Sequence, residues 1–554
     1  MDQDLHADAT AQVATPSSSS VSHFRQILFW PVQLISVSGQ KSHDHAEAFA
    51  ALGPNNPWRI VEDEFTGDPA EFQERHYSEF VTFLPPVQRF IYGQGSERAE
   101  RTCGNTPIKV MRRTDVAAMR VTLTPDAAPI ELKVAHVDLY FFFDIDIAIL
   151  ALELYADNLS LAAAQDVMFR LGRLYPSFWH KDGAPGHCAL CTEWLSASGA
   201  ILASSDFEDR KTYLAHVGQH RSARLGRHWE FLLKPLVPLD RDKGTLRYRQ
   251  LEYYRMPLMA YLALDDADAL SRADYVRLGH VRGSGKASKQ PLADHHLTDF
   301  EAKHCYDRYH EKRDPADWPS TRYMSCNHAL VVTGDARNAY FVNGEHGLLN
   351  SFRHQHFMLF MVAHFQKAAL LMFSDRLAEA VNRLDIRNPQ AVLAFRSATR
   401  EALETFLRFT HRYWFHVVSN QDQARDLFDL CRSHLDLDRL YEDVRQEVQE
   451  MSQYLENEAM RRQNESVARL TVVTAFGLIG TVATGFLGMN LFDHTGLSGL
   501  EKVAMFAAVF VPTLVLTFYT IAKSQRLSSF LDALGNETIG LGEKLSAFVK
   551  VWRR

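Results

Sequence analysis

Residues 470–490 read LTVVTAFGLIGTVATGFLGMN: eighteen positions without a charge, closed by Gly488-Met489-Asn490. A second uncharged run, VAMFAAVFVPTLVLTFYTIA, fills residues 503–522. As helices, both reach across the roughly 30 Å of a bilayer's hydrocarbon core. The connection, residues 488–502, is short, so the pair predicts a transmembrane hairpin with both chain ends on one side. Arg461, Arg462 and Arg469 precede the first run, and Lys523 and Arg526 follow the second. The loop between them holds Asp493 and Glu501 against Lys502. The positive-inside rule then predicts both termini in the cytoplasm and the loop outside, and the expected location is the plasma (inner) membrane.

On a wheel of 100° per residue, Asn464, Val467, Leu470, Thr471, Thr474, Leu478, Thr481, Gly485 and Gly488 share a stripe of roughly 120°. Bulky Phe476, Ile479 and Phe486 lie elsewhere. A membrane helix with a small, polar stripe turns it toward another helix or toward water. Copies arranged around an axis would line a pore with threonine hydroxyls and two apolar rings, Leu470 and Leu478, of the kind that gate by dewetting. Tight helix packing through Gly477, Gly485 and Gly488 is the other use of the same pattern.

Upstream, residues 421–470 contain neither Pro nor Gly, and Leu437, Leu440, Val444, Val448, Met451 and Leu455 recur at steps of three and four. A single helix over 421–490 would be about 105 Å long, a stalk that packs on copies of itself. Residues 357–384 and 389–418 also predict helices, and Ser419-Asn420 offers a cap, which makes 351–469 a helical stalk region. Residues 23–350 mix the two periods. Strands are expected at 108–111, 118–123 and 137–143, and a longer, largely apolar run follows at 145–155. A second strand-rich piece lies at 246–264 and 328–333, and helices are expected after Asp157-Asn158 and over 207–233. Residues 283–320 read as a polar loop. The resulting fold class is an α+β cytoplasmic domain, a long helical stalk and a C-terminal two-helix transmembrane hairpin (470–522). Residues 1–22 read as a disordered tail. Residues 523–554 form a cytoplasmic tail, either an amphipathic surface helix or a loose end broken by Gly535, Gly540 and Gly542.

Composition narrows the function. The chain has 554 residues, 46% hydrophobic and 23% charged, which is ordinary for globular protein. A net charge of −7 argues against a dedicated nucleic-acid binder. A mean hydropathy of −0.22 excludes a chain that is mostly membrane. Six scattered cysteines and an acidic start without an apolar core predict a reducing cytosol and no secretory signal. The apolar patch at 27–35 is too short to span and is interrupted by Pro31. No phosphate-binding glycine loop, nucleophile elbow or HExxH motif is present, so the chain is not expected to be an enzyme.

Asn464-Glu465, Leu470-Thr471 and Gly485 precede Gly488-Met489-Asn490 without gaps, at the outer end of the first of two C-terminal spans. In this, residues 420–525 resemble the CorA metal-ion transporter family. The resemblance implies a homopentameric, passive channel for a divalent cation, most simply Mg²⁺, gated by its cytoplasmic domain. It implies a selectivity filter of Gly488, Met489 and Asn490, with Met489 packing behind it. Mg²⁺ keeps its octahedral waters, and a ring of Asn490 amide oxygens accepts hydrogen bonds from them without stripping them. Asn464, Val467, Leu470, Thr474, Leu478 and Thr481 match pore-lining positions, with Thr481 near the hydrated ion and Asn464 at the inner mouth. Asp493 and Glu501 either concentrate cations at the outer mouth or are solvated loop charges. No resident cofactor is implied. The partners are further copies of the chain, the bilayer and the hydrated cation, with no nucleic acid. Leu487 stands where the family commonly has an aromatic, and the loop LFDHTGLSGLEK lacks its common Met-Pro-Glu-Leu. Zn²⁺, Ni²⁺ or Co²⁺ transport is the alternative within the family, and a membrane-anchored sensor with a vestigial pore is the alternative outside it.

Weaker signals lie upstream. His180, His187, Cys188 and Cys191 have zinc-like chemistry, though a plain loop explains them better. His354, His356 and His364 sit among apolar residues and are expected in the core, and His295 and His296 in a loop. Asp422, Asp426, Asp429, Asp436 and Asp438 read as a solvated helix face.

Overall fold

The apolar patch around Pro31 lies at the centre of a large mixed sheet. The computed structural model describes residues 20–36, 45–52, 56–61, 74–93, 108–143, 145–241, 244–285, 292–385, 387–489 and 498–522. Two units divide the chain, residues 1–449 and 450–554.

In the first unit the described strands are β1 (Ser20–Ser36), β2 (Trp58–Ile60), β3 (Ile108–Arg113), β4 (Ala118–Thr122), β5 (Ile130–Phe142), β6 (Ile147–Ser160) and β7 (Cys191–Leu195). They continue with β8 (Ile201–Ser204), β9 (Val237–Pro238), β10 (Leu246–Gln250), β11 (Leu258–Leu264), β12 (Cys305–Tyr309), β13 (Thr321–Cys326) and β14 (Ala329–Asp335). The main path runs β12-β13-β14-β11-β1-β6-β5-β4-β7-β8, with β10 on β1, β9 on β10, β3 on β5 and β2 on β3. The β11–β14 and β9–β10 pairs are parallel; the other pairs are antiparallel.

Strand β1 holds this sheet together. It pairs with β6 from Ser20↔Ser160 to Gln33↔Ile147. Successive side chains point to opposite faces, and both faces are covered. On one, Phe24, Leu28 and Trp30 join the core that includes Ala164, Val167 and Met168 of helix α1 (Leu161–Arg170). The other face meets a later helix, where the Phe29 ring lies 5.2 Å from Phe357 and 5.1 Å from Phe360. Burial on two sides removes the alternation a half-buried strand shows, so ILFWPVQLI carries no period.

Pro31 is tolerated for a specific reason. The far edge of β1 is shared between β11, which pairs up to Leu28, and β10, which begins at Val32. The Phe29 N–H donates to Pro257 O on that edge. Position 31, two residues on, would aim its N–H the same way, into the gap between the two neighbours. Proline has no N–H to strand there.

The helices depart from expectation in three places. Residues 207–233 form α2 (Arg210–His220) and a second helix, Arg227–Leu233, separated at Arg221, whose φ is +55°. Residues 283–320 are not simply a loop: α3 (Asp294–His304) leads directly into β12. His295 and His296 therefore lie in the first turn of α3. Further along stand α4 (Phe357–Asn382), α5 (Pro389–Arg412), α6 (Asp422–His434) and α7 (Leu437–Gly488). The stalk is thus not one helix from 421. It breaks at Leu435-Asp436, where Asp436 takes φ +54°, a left-handed geometry that Asp tolerates better than most residues. The cap before α6 also differs: Gln421 is the capping residue, and Ser419 Oγ accepts from the Gln421 N–H at 3.0 Å. Residues 20–22, assigned above to the N-terminal tail, belong to β1, and residues 1–19 and 523–554 lie outside the described residues.

Helix α4 is apolar enough to cross a membrane, but 78% of its most apolar window is buried in the first unit. Polar contacts fasten it. Glu252, between β10 and β11, accepts from His364 Nδ1 at 3.1 Å and from Lys367 Nζ at 2.9 Å. Burial pushes the Glu252 carboxyl up, but the charges and hydrogen bonds of His364 and Lys367 outweigh it and hold the pKa at about 2. Below it, α5 and the start of α7 pack through rings. Phe373 meets Phe406 edge-on at 5.4 Å, and Trp414 stacks on Tyr441 at 4.4 Å.

The five described cysteines are free, with Cys188, Cys326 and Cys431 buried. Burial pushes the thiols of Cys188, Cys305 and Cys431 up to about 12.

Glu252→Ala leaves the buried His364 and the half-buried Lys367 without their acceptor and is expected to cost about 3 kcal/mol in denaturant unfolding. The carboxyl's folded pKa lies below its unfolded value of about 4.3. Its contribution is therefore complete above that pH and is lost as pH falls through about 2. Thermal melts between pH 5 and pH 2, at order-of-magnitude steps in proton concentration, should show this acid-side loss in the native chain and a flatter profile in Glu252→Gln.

Candidate functional site

The second unit contains the C-terminal part of α7 and helix α8 (Gly499–Ala522). Helix α7 stays regular to Gly488, and the Met489 N–H continues the pattern by donating to Gly485 O at 3.2 Å. The residues of the proposed stripe lie on this helix as the sequence spacing requires. Asn464, Val467, Thr474, Leu478, Thr481 and Gly488 are exposed, as is Met489. Neighbouring positions are treated oppositely: Leu478, on the stripe, is 62% exposed, whereas Ile479, off it, is 2% exposed. The Leu470 side chain, Asn490 and Asp493 fall outside the described residues.

Thr481 Oγ1 donates to Gly477 O at 2.9 Å, and Thr484 Oγ1 to Gly480 O at 2.8 Å. A threonine that spends its proton on its own helix has only lone pairs left to present outward. These hydroxyls suit a ligand that donates hydrogen bonds, such as water around a cation.

Helix α8 has a mean hydropathy of 1.8 over its most apolar window, and none of that window is buried. Leu500, Val503, Phe506, Val511, Val515 and Phe518 are all exposed. An apolar surface this continuous does not persist in water and marks a membrane or a partner. Pro512 stands inside α8. Beside it, Thr513 Oγ1 donates to Val509 O and Thr517 Oγ1 to Thr513 O, each at 2.8 Å. Such hydroxyl bonds help a membrane helix accommodate a proline.

Glu501 has a local task. Its Oε2 accepts from the Ser498 N–H at 2.8 Å and from Ser498 Oγ at 2.9 Å. This is the half of a capping box in which the third helical residue reaches back to the cap. Glu501 thus has a structural role at the start of α8.

The weaker candidates separate. Cys188 is buried, and His187 Nδ1 lies 3.5 Å from Ser177 Oγ, with no convergence of His180, His187, Cys188 and Cys191 on one point. His364 pairs with Glu252, His356 is buried edge-on to Tyr323, and His354 Nδ1 lies 3.6 Å from Glu79. The α6–α7 acids sit in ion pairs, Asp422 with Arg308 and Arg425, Asp426 with Arg425, and Asp438 with Arg432. Among the described residues, one set of three ligand atoms does converge, from His216, His220 and Asp240. The sequence offered His-x-x-x-His in a helical stretch as a signal, but nothing in it joins Asp240 to that pair.

Residues 390–523 match the family model for the CorA-like Mg²⁺ transporter protein. The match runs from α5 to the end of α8. A solved structure described as that of the full-length CmaX protein is similar at 15% identity, covering 48% of this chain and 89% of that chain. Its TM-score is 0.19, too low for a likeness of fold to be drawn from it. No curated protein matches the chain.

Glu501→Ala removes the acceptor for both Ser498 donors and is expected to lower the far-UV melting temperature in detergent. Glu501→Gln keeps an acceptor oxygen and should recover most of the loss.

Proposed function

We propose that the chain is a CorA-like divalent-cation channel, with Mg²⁺ as its principal cargo. It works as a homopentamer in the plasma (inner) membrane, with both termini cytoplasmic. The observation that carries this reading is the family match over residues 390–523, which takes in the uncharged end of α7, Gly488-Met489-Asn490 and α8, whose most apolar window has no buried residue.

In this mechanism α7 lines the pore. Asn490 amide oxygens accept hydrogen bonds from the first-shell waters of the ion, and Gly488 lets the backbone come close. Thr481 and Thr474 offer hydroxyl oxygens further in. The Leu478 and Leu470 rings are dewetting gates, opened when the cytoplasmic domain responds to internal ion level. The driving force is the membrane potential, about 2.3 kcal/mol per charge per 100 mV and so about twice that for a divalent ion. No Asp, Glu, His, Lys or Arg occurs in residues 470–487 or 503–522, so neither run supplies an ionisable proton relay.

Mg²⁺ uptake into proteoliposomes with an inside-negative potential tests the reading. The native chain should take up Mg²⁺, and Asn490→Ala should abolish uptake or make it unselective. Uptake of Zn²⁺, Ni²⁺ or Co²⁺ in place of Mg²⁺ would change the cargo and keep the channel. Silence with every metal would overturn the channel in favour of a membrane-anchored sensor.

A hydrophilic residue at the gate gives an independent check. Leu478→Ser should wet the constriction and raise uptake at high internal Mg²⁺ about tenfold, the change expected for about 1.4 kcal/mol off the barrier.

A further inference from the structure

Helix α2 is built to hold a face in place. Asp209 caps its start by accepting from the Thr212 N–H at 3.2 Å, and the left-handed Arg221 closes its end. Tyr213 is its buried anchor, donating to Asp206 Oδ1 at 2.9 Å. His216 and His220 follow Tyr213 at three and seven residues, so they continue the same face. Their rings lie 4.6 Å apart.

The third group comes from another element. Asp240 follows β9, on a segment fixed by the Leu239 N–H donating to Tyr248 O at 2.9 Å. Its Oδ2 lies 3.0 Å from His216 Nε2, with the two side chains 20% and 15% exposed. One ligand atom from each of His216, His220 and Asp240 falls within 4.8 Å of the other two. A hydrogen bond between His216 and Asp240 explains that pair, but not why a second imidazole joins them. The neighbouring cations are already engaged, Arg224 with Asp206 at 2.6 Å and Arg241 with Glu230 at 3.6 Å.

We propose that His216, His220 and Asp240 form a site for a first-row transition metal of the Zn²⁺ class, joining α2 to the β9–β10 segment. Two imidazoles and a carboxylate are the ligand set of Zn²⁺, whereas Mg²⁺ takes oxygen ligands. Zinc bonds of about 2.0–2.1 Å in a tetrahedron set ligand atoms roughly 3.3 Å apart, which the observed spacing approaches with side-chain movement alone. Three protein ligands leave a fourth position for water. The site is distinct from the proposed pore and does not rest on that reading.

The test is Zn²⁺ binding to the full-length detergent-solubilised chain by equilibrium dialysis, with Mg²⁺ in large excess to occupy sites that prefer it. The native chain should bind one Zn²⁺ more than His216→Ala/His220→Ala, and Asp240→Asn should weaken that Zn²⁺ about tenfold or more. Co²⁺ should give visible ligand-field absorption in the native chain that the double variant lacks. Zn²⁺ should raise the melting temperature of the native chain only. If the double variant does not fold, as judged by circular dichroism, His220→Ala alone serves, since that ring is exposed. Equal Zn²⁺ content and affinity in native and variant chains, or displacement of the Zn²⁺ by Mg²⁺, would overturn the site.

Discussion

A strand buried on both faces has no water to satisfy its backbone, so every N–H of β1 must find a protein partner or be absent. That constraint orders the first unit. It requires β6 along the length of β1, divides the other edge between β11 and β10, and admits proline at the one break between them. It also governs the charges that the sheet buries. Glu153 of β6 is held by Arg25 of β1 and by Arg353, which stands just ahead of α4, so strand and helix layers share one carboxylate. Glu252 with His364 and Lys367 repeats the arrangement nearby. Paired charges of this kind add little net stability over apolar residues, but removing one partner is costly because it leaves the other charge buried.

The same physics separates two helices that composition cannot tell apart. The window in α4 and the window in α8 have similar mean hydropathy, 1.5 and 1.8. One lies under a sheet that supplies Phe29 and Phe142 as partners. The other has no such cover and keeps its apolar side chains exposed. The sequence context makes the distinction that hydropathy does not. Basic residues flank 470–522, and α4 is interrupted by His364, Gln366 and Lys367, polar groups that only a protein interior with partners accepts.

What sequence reading recovered follows from this. Strands β3, β4 and the end of β5, and helix α1, are legible because polar breaks punctuate them; β6 reads only as an apolar run. The uncharged runs and Gly488-Met489-Asn490 were legible because charge patterning is local. Strand β1 was not, since two-sided burial erases its period and Pro31 imitates a break. The interruption at Asp436 was hidden because aspartate is common in helix surfaces, and its left-handed turn leaves no glycine as a marker. Helix α3 was hidden by polarity: among DHHLTDFEAKH only Leu297 and Phe300 are buried, too few to set a period. The convergence of His216, His220 and Asp240 depends on where β9 brings the chain back, which is tertiary information. The expectation of a filter at Gly488, Met489 and Asn490 rests on motif resemblance and that of an outer-mouth field at Asp493 and Glu501 on loop charge; of these the described residues include Gly488, Met489 and Glu501.

Nucleophilic attack on maleimides and methanethiosulfonates needs thiolate, and burial keeps all five described cysteines protonated at neutral pH. With Cys103 replaced, the natural chain is therefore a quiet background for single-site labelling. A cysteine introduced along the exposed stripe of α7 would react faster than the native thiols, so spin labels or fluorophores can be placed there without first stripping the core of its sulfur.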